Sequence, residues 1–316
     1  MTTLSATTEQ TIKRRVSDEN IWLSHAGRAI SNSLGCLQVN ELEYEVMSSE
    51  EAVGAAMLEE LESAAKAKNG PLVIILLGGR GAQSLHRQLG KLAATNEKDW
   101  LFERLHVFTQ DALAPLRLDN GLSFVRDFER LLGPEFFRKV KSFTCIRTDA
   151  PNLERELAGY VEKLESLGGI DVFFLGLGPE AGGASHLAYI KPGSGATADD
   201  IAGLIPISSS ILEHHITKFK AGGTIVSEAD EAECRAATHI LTLGPAAILS
   251  ARRIVQSIVD AGTAPAKRES YKRLLETEIS TETETRRRQM DDNPGLWLRL
   301  HSNVRSLILE DVLQDN

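Results

Sequence analysis

Residues 71–83, PLVIILLGGRGAQ, decide the fold. Pro71 to Leu77 form an unbroken run of Leu and β-branched residues, the pattern of a strand buried on both faces. Gly78-Gly79-Arg80-Gly81 follows as a glycine turn, and SLHRQLGKLAA (84–94) reads as an amphipathic helix. A buried strand, a tight turn and a helix are the first half of a strand–helix–strand unit.

Working outward, the alternation repeats. Upstream, LEYEVM (42–47) predicts a short strand. SSEEAVGAAMLEELESAAKAKNG (48–70) predicts a helix with Ser48 or Ser49 as N-cap, an acidic first turn and a closing Gly70. Downstream come strand LHVFTQ (105–110), helix SFVRDFERLLG (123–133) and strand VKSFTCI (140–146), then helix NLERELAGYVEKLESLGG (152–169) and buried strand IDVFFLGLG (170–178). GTIVS (223–227) and THILTLG (238–244) read as strands, AAILSARRIVQSIV (246–259) as a long amphipathic helix, and residues 269–292 as charged helix. The expected fold is α/β: a three-layer domain, residues 41–316, with a mostly parallel sheet and helices on both faces. Residues 1–40 read as an N-terminal arm, with NIWLSHAGRAISNSLG (20–35) as a short helix inside it.

Composition narrows the class. The 316 residues carry 35 Lys+Arg against 44 Asp+Glu, a net charge of −9, which disfavours a nucleic-acid binder. With 42% hydrophobic residues the chain can bury a full core. Cys36, Cys145 and Cys234 are scattered, which excludes a disulfide framework and a Cys-rich zinc site. There is no run of 18 apolar residues to cross a membrane, and MTTLSATTEQTIKRR (1–15) lacks the apolar core of a secretory signal. A cytoplasmic location is the default expectation. The arm and the charged C-terminal segment suggest a subunit contact, so a homo-oligomer is one expectation and a monomer another.

Ligands of such sheets bind beyond the carboxyl ends of the strands, so the loops there are where chemistry is sought. Gly78-Gly79-Arg80-Gly81 offers free N–H groups at a helix start plus one full positive charge; it is either a phosphate cradle or simply a tight turn. Its spacing matches neither the Walker nor the dinucleotide pattern. Asp111, at the end of LHVFTQ, is a candidate general base or a loop cap. The stretch from Gly176 to Ser194 mixes glycines (Gly176, Gly178) with Glu180, His186 and Lys191; His186 could move protons near neutral pH or be a loop histidine bonded to a carbonyl. Lys267, in AGTAPAK, could bring a second cation to a phosphate or sit in solvent. His214 and His215 are adjacent, so they are not expected to face one site, and no metal site is expected.

Together these segments resemble the glucosamine-6-phosphate deaminase (isomerase) and 6-phosphogluconolactonase superfamily, from about residue 42 to the C-terminus. LLGGRGAQSLHRQL resembles its phosphate loop, LHVFTQDALAPL its strand ending in a catalytic aspartate, and HILTLGPAAILS…AGTAPAK its later segment ending in a phosphate-binding lysine. LGLGPEAGGASHLAYIKPGS resembles the signature loop, with His186-Leu-Ala-Tyr-Ile-Lys-Pro-Gly-Ser194 closer to the deaminase branch after four extra residues. The resemblance implies that Asp111 shuttles a proton between C1 and C2 of a hexose 6-phosphate and that His186 opens the sugar ring. Gly78, Gly79, Arg80, Gly81 and Lys267 would hold the phosphate, with neither metal nor redox cofactor needed.

Departures from the pattern are equally specific. The acid that orients the histidine falls on Lys191, the aspartate two residues before it on Ala184, and the acidic neighbour of the catalytic aspartate on Ala112. SSSILEHH (208–215) lacks the arginine of the Ser-Arg motif. An imidazole without a carboxylate loses an orienting hydrogen bond, and Glu180 is the candidate substitute. The expected function is therefore aldose–ketose isomerisation or deamination of a hexose 6-phosphate. Lactone hydrolysis and binding without turnover are the alternatives.

Overall fold

The computed structural model describes residues 12–17, 19–25 and 38–314. In chain order the strands are β1 (Ile12–Ser17), β2 (Asn20–His25), β3 (Tyr44–Met47), β4 (Leu72–Leu76), β5 (Leu105–Thr109), β6 (Asp111–Ala114) and β7 (Ser142–Thr144). They continue with β8 (Val172–Pro179), β9 (Ser185–Leu187), β10 (Asp200–Pro206), β11 (His239–Leu243), β12 (Arg253–Ile258) and β13 (Val304–Leu309). The helices are α1 (Glu50–Ala67), α2 (Gln83–Ala93), α3 (Asp99–Phe102), α4 (Phe124–Lys139) and α5 (Leu153–Ser166), then α6 (Ser209–Ala221), α7 (Glu228–Arg235), α8 (Pro245–Ser250), α9 (Ala266–Glu276) and α10 (Thr283–Asp292).

The main sheet runs β3-β13-β12-β8-β4-β5-β7, and every neighbouring pair along it is parallel. Alternation along β4 shows why it is buried twice. Leu72, Ile74 and Leu76 join one core with α1, α2 and α4, whereas Val73 and Ile75 join the other with α5. The helical layers follow from local chemistry. Ser49 caps α1 by accepting the Ala52 N–H at 3.1 Å, and Ser123 caps α4 through Val125. α4 continues past the expected end because Gly133, in the left-handed region, permits a kink before Pro134.

Three expectations are corrected and one feature is added to the expected fold. The second half of AAILSARRIVQSIV (246–259) is a strand, not a helix: α8 stops at Ser250, and β12 (Arg253–Ile258) lies between β8 and β13 with Ile254, Val255 and Ile258 fully enclosed. A short apolar run does not by itself separate a buried strand from a buried helix, and here burial on both faces decides. Asn20–His25 is likewise a strand; the rest of the expected helix and the start of the arm lie outside the described residues. GTIVS is not a strand but the approach to α7, where Ser227 caps by accepting the Asp230 N–H. Finally, a second sheet of order β1-β2-β10-β11-β6, antiparallel throughout, packs on the α5 side of the main sheet. The β1–β2 hairpin is bound into it by Trp22, whose indole N–H donates to Ser194 O at 3.0 Å, and by the ion pair of Arg15 with Asp200.

α2 carries the turn that follows β4, and it packs on α4 through Gly90. A Cβ there would lie 2.6 Å from Leu131 O and 2.8 Å from Leu132 O, both backbone atoms. Gly90→Ala therefore destabilises the fold by about 1–3 kcal/mol, read as a lower urea midpoint at unchanged slope.

Candidate active site

From β4 the main sheet is built outward through β5 and β7 to one edge; from β8 it is built through β12 and β13 towards the other. The loops after β4 and β8 thus diverge and open a crevice at the switch point. An open cleft of about 620 Å³, its solvent-filled mouth included, lies there. The Gly78–Gly81 turn, Gly176 and Gly178 line its floor. Asp111, His186 and Lys267 line its walls.

Asp111 sits where the chain leaves one sheet for the other. β5 ends at Thr109, Gln110 N–H donates to Leu76 O at 2.9 Å, and Asp111 opens β6 opposite Thr242 of β11. The carboxyl group is buried; one oxygen accepts from the Gln110 amide and Oδ1 has no partner among the described residues. Burial raises its pKa from 3.8 to about 7, with the Gln110 hydrogen bond opposing.

His186 is set by β9, which pairs antiparallel with the end of β8 so that His186 faces Gly178. A Cβ on Gly178 would come within 2.1 Å of the imidazole, so only glycine admits the ring. The ring stacks on Tyr189 at 4.4 Å between centroids, and its Nδ1 accepts the Tyr189 backbone N–H at 3.1 Å. Burial, reinforced by His214 and Lys267, holds it uncharged, well below the usual imidazole range. Tyr189 belongs to a tight turn in which Ala188 and Tyr189 have φ of 50° and 56°. The turn is closed by hydrogen bonds of 2.7 and 3.0 Å between Leu187 and Ile190, and the Thr242 hydroxyl holds the Ala188 carbonyl. Two non-glycine residues in the left-handed region cost on the order of 1–3 kcal/mol each, a strain typical of functional sites.

The opposite end of the cleft is cationic and internally compensated. Gly79, at φ 74°, starts the turn; Gly78 has no room for a Cβ, which would fall 2.0 Å from the Phe124 ring; and Ser257 Oγ donates to Gly81 O at 2.8 Å. Arg80 pairs with Glu50 at 2.6 Å. Lys267 pairs with one oxygen of Asp260, and Lys218 lies 3.4 Å from the other while bonding the Thr263 hydroxyl. Burial alone would raise the Asp260 carboxyl, but Lys267 and Lys218 bring it below its usual range.

Glu180 and Lys191 are not part of this cleft lining. Glu180 accepts from the Ser208 and Ser210 hydroxyls and caps the Ala181 N–H, whereas Lys191 donates to Pro206 O at 2.8 Å. The structure therefore does not bring Glu180 to His186. Sequence reasoning missed Gln110, Tyr189, Asp260 and Lys218. It also expected His214 and His215 to face apart, yet both line the cleft. The available signal was i, i+4 pairing on α6, His214 with Lys218 and His215 with Phe219. The His215 ring stacks on Phe219 at 4.2 Å, lies 2.7 Å from Leu122 O through Nε2, and is held to about 4 by burial. Among the described residues no three His, Cys, Asp or Glu side chains are grouped to hold a metal, and no helix is long and apolar enough to cross a membrane.

No family model matches the chain. Glucosamine-6-phosphate deaminase of Porphyromonas gingivalis is 28% identical over 142 residues, 45% of this chain and 52% of that protein, so the match spans about half of the relative's length. The Bacillus subtilis glucosamine-6-phosphate deaminase 1 is 25% identical over 240 residues, 75% of this chain and 84% of that one. Among solved structures, a monomeric glucosamine-6-phosphate deaminase superposes with a TM-score of 0.66 at 22% identity, covering 86% of this chain and 98% of that one. The 6-phosphogluconolactonase of Trypanosoma brucei superposes with a TM-score of 0.61 at 19% identity, covering 87% and 98%. The three-layer fold is that of these neighbours.

A carboxyl raised from 3.8 to about 7 keeps in the folded state a proton that the unfolded chain loses. Stability therefore falls as pH rises through that window and stays lower above it. Asp111→Asn removes this cost. At pH 8 it unfolds at a higher temperature than wild type, by the equivalent of about 2–4 kcal/mol, and the gap narrows towards pH 5. Parallel melting curves at both pH values check this; equal gaps would contradict it.

Proposed function

We propose, for a chain that belongs to the superfamily of glucosamine-6-phosphate deaminases and 6-phosphogluconolactonases on its deaminase side, an aldose–ketose isomerisation of a hexose 6-phosphate, with or without loss of a 2-amino group. The observation that carries this reading is Asp111: a buried carboxylate with one free oxygen, facing a cleft at the sheet's switch point and titrating near neutrality. A base of that proton affinity suits removal of a proton next to a carbonyl, because it is ionised at working pH and still basic.

The substrate phosphate lies at the cationic end. There the Gly78–Gly81 turn supplies backbone N–H groups, and Lys267, Lys218 and Arg80 supply charge. Asp111 takes the C2 proton and returns it to C1. The superfamily likeness would give His186 ring opening, a role that needs an unprotonated nitrogen facing the sugar; the proton position on the ring decides between that role and hydrogen-bond donation to the substrate.

A second reading, binding without turnover, is favoured by the absence of any carboxylate on His186 among the described residues. It is distinguished by a sugar phosphate that raises the melting temperature and is not consumed. Lactone hydrolysis, with Asp111 activating water, is tested in the same assay by 6-phosphogluconolactone.

Wild type is expected to convert glucosamine 6-phosphate to fructose 6-phosphate and ammonia, and Asp111→Asn to lose about 10²–10⁴-fold in kcat. Because the ionised form of Asp111 is the active one, kcat/KM rises from pH 6 to 8 along a limb centred near 7 and then levels. Lys267→Met is expected to raise KM for phosphorylated sugars by roughly 10–100-fold, with less effect on kcat. Progress curves, a pH profile and the KM series check these three outcomes, and a KM unchanged by Lys267→Met would remove the phosphate from that end.

A further inference from the structure

The hydrogen bond at His186 has a direction that its position in the sequence did not reveal. Its Nδ1 lies 3.1 Å from the backbone N–H of Tyr189. A peptide N–H only donates, so Nδ1 is the acceptor and carries no proton. The neutral ring then carries its proton on Nε2. Nε2 has no protein partner among the described residues, and its edge of the ring lies over Gly178 on the floor of the cleft.

The other arrangement is disfavoured, because turning the ring over would set Cδ2 against the buried Tyr189 N–H and leave it without an acceptor. Lys191 and Ala184 stand where a carboxylate would have claimed an Nδ1 proton; Lys191 instead holds Pro206 O, and Glu180 is bound to Ser208 and Ser210. The charged and titratable groups around the ring are His214, Lys267, Tyr189 and Asp111, and none of them accepts a hydrogen bond from Nδ1.

We propose that His186 is an uncharged hydrogen-bond donor that polarises the substrate carbonyl through Nε2–H, and that the enzyme therefore takes sugar phosphates in their open-chain form. This rests on the isomerase reading above. Ring opening requires a base for the anomeric hydroxyl proton, and a nitrogen already bearing hydrogen is not one. A carbonyl oxygen, by contrast, is matched by that N–H, as a neutral imidazole serves in other proton-transfer isomerases. The step balances. Asp111 carries the C2 proton to C1 and the electron pair passes through an enediolate, or enaminolate, whose O1 is held by Nε2–H. With a 2-hydroxy sugar the C2 hydroxyl proton passes to O1; with a 2-amino sugar an amine proton passes to O1 and water hydrolyses the resulting C2 imine to the ketone and ammonia. Cyclic sugars pay in apparent affinity for the small fraction that is open.

Three measurements test this on the intact protein. Side-chain ¹⁵N spectra should show His186 protonated at Nε2 and not at Nδ1; a Nδ1–H ring overturns the proposal. Glucitol 6-phosphate, which has no ring, should bind at least tenfold more tightly than the ring-locked 1,5-anhydroglucitol 6-phosphate; equal or reversed affinities overturn it. In turnover, His186→Gln, which keeps an N–H donor and cannot act as a base, should retain at least tenfold more activity than His186→Ala; equal losses overturn it. Should wild type turn over no sugar phosphate, the isomerase reading fails, while the ¹⁵N spectra still decide the proton on His186 and the two binding constants still decide which sugar form is taken.

Discussion

Strands β4 and β8 lie side by side with both faces covered, and the cleft depends on that pairing. Because each strand is sealed above and below, its polar backbone reaches the surface only at its ends. The chain turns away from the pair in opposite directions, and the gap exposes the loops after both strands. Glycine is required where they meet other groups. Gly78 clears Phe124 and Gly178 clears His186, so the two rings that shape the cleft pack directly on backbone.

Electrostatics within this gap are divided. At one end every cation has a carboxylate partner: Arg80 has Glu50, and Lys267 and Lys218 share Asp260. A phosphate entering there meets three cations against two carboxylates, so its binding gains from three donors and is opposed by Asp260 and Glu50. At the other end burial acts alone. It lifts Asp111 towards neutrality and holds His186 and His215 uncharged, so Asp111 supplies the carboxylate of that end. Groups whose environments push their proton affinities apart divide acid and base roles in this way.

The strained turn at Ala188–Tyr189 organises the uncharged end. It places a phenol ring under His186 and points the Tyr189 amide at Nδ1; the Tyr189 hydroxyl lies 3.4 Å from His215 Nδ1. An amide in place of the carboxylate expected from the resemblance reverses the proton's position on the ring, one of several departures from the pattern that the sequence resembles.

Much was legible in the residues themselves. Strand β4, the capped helix α1 and the Gly78–Gly81 turn follow from periodicity and turn chemistry, which are local properties. The superfamily likeness pointed to Asp111, His186 and Lys267, and the fold brings all three to one cleft. Other features were decided only by tertiary contact. Residues 251–259 have a pattern that fits helix or strand, and only the places beside β8 and β13 settle it. Asn20–His25 becomes a strand because β10 offers it an edge. Lys218 and Asp260 meet because α6 and the end of β12 converge from distant parts of the chain. The proton on His186 is likewise absent from the sequence, because it depends on a backbone N–H three residues away that points at the ring only in the folded turn.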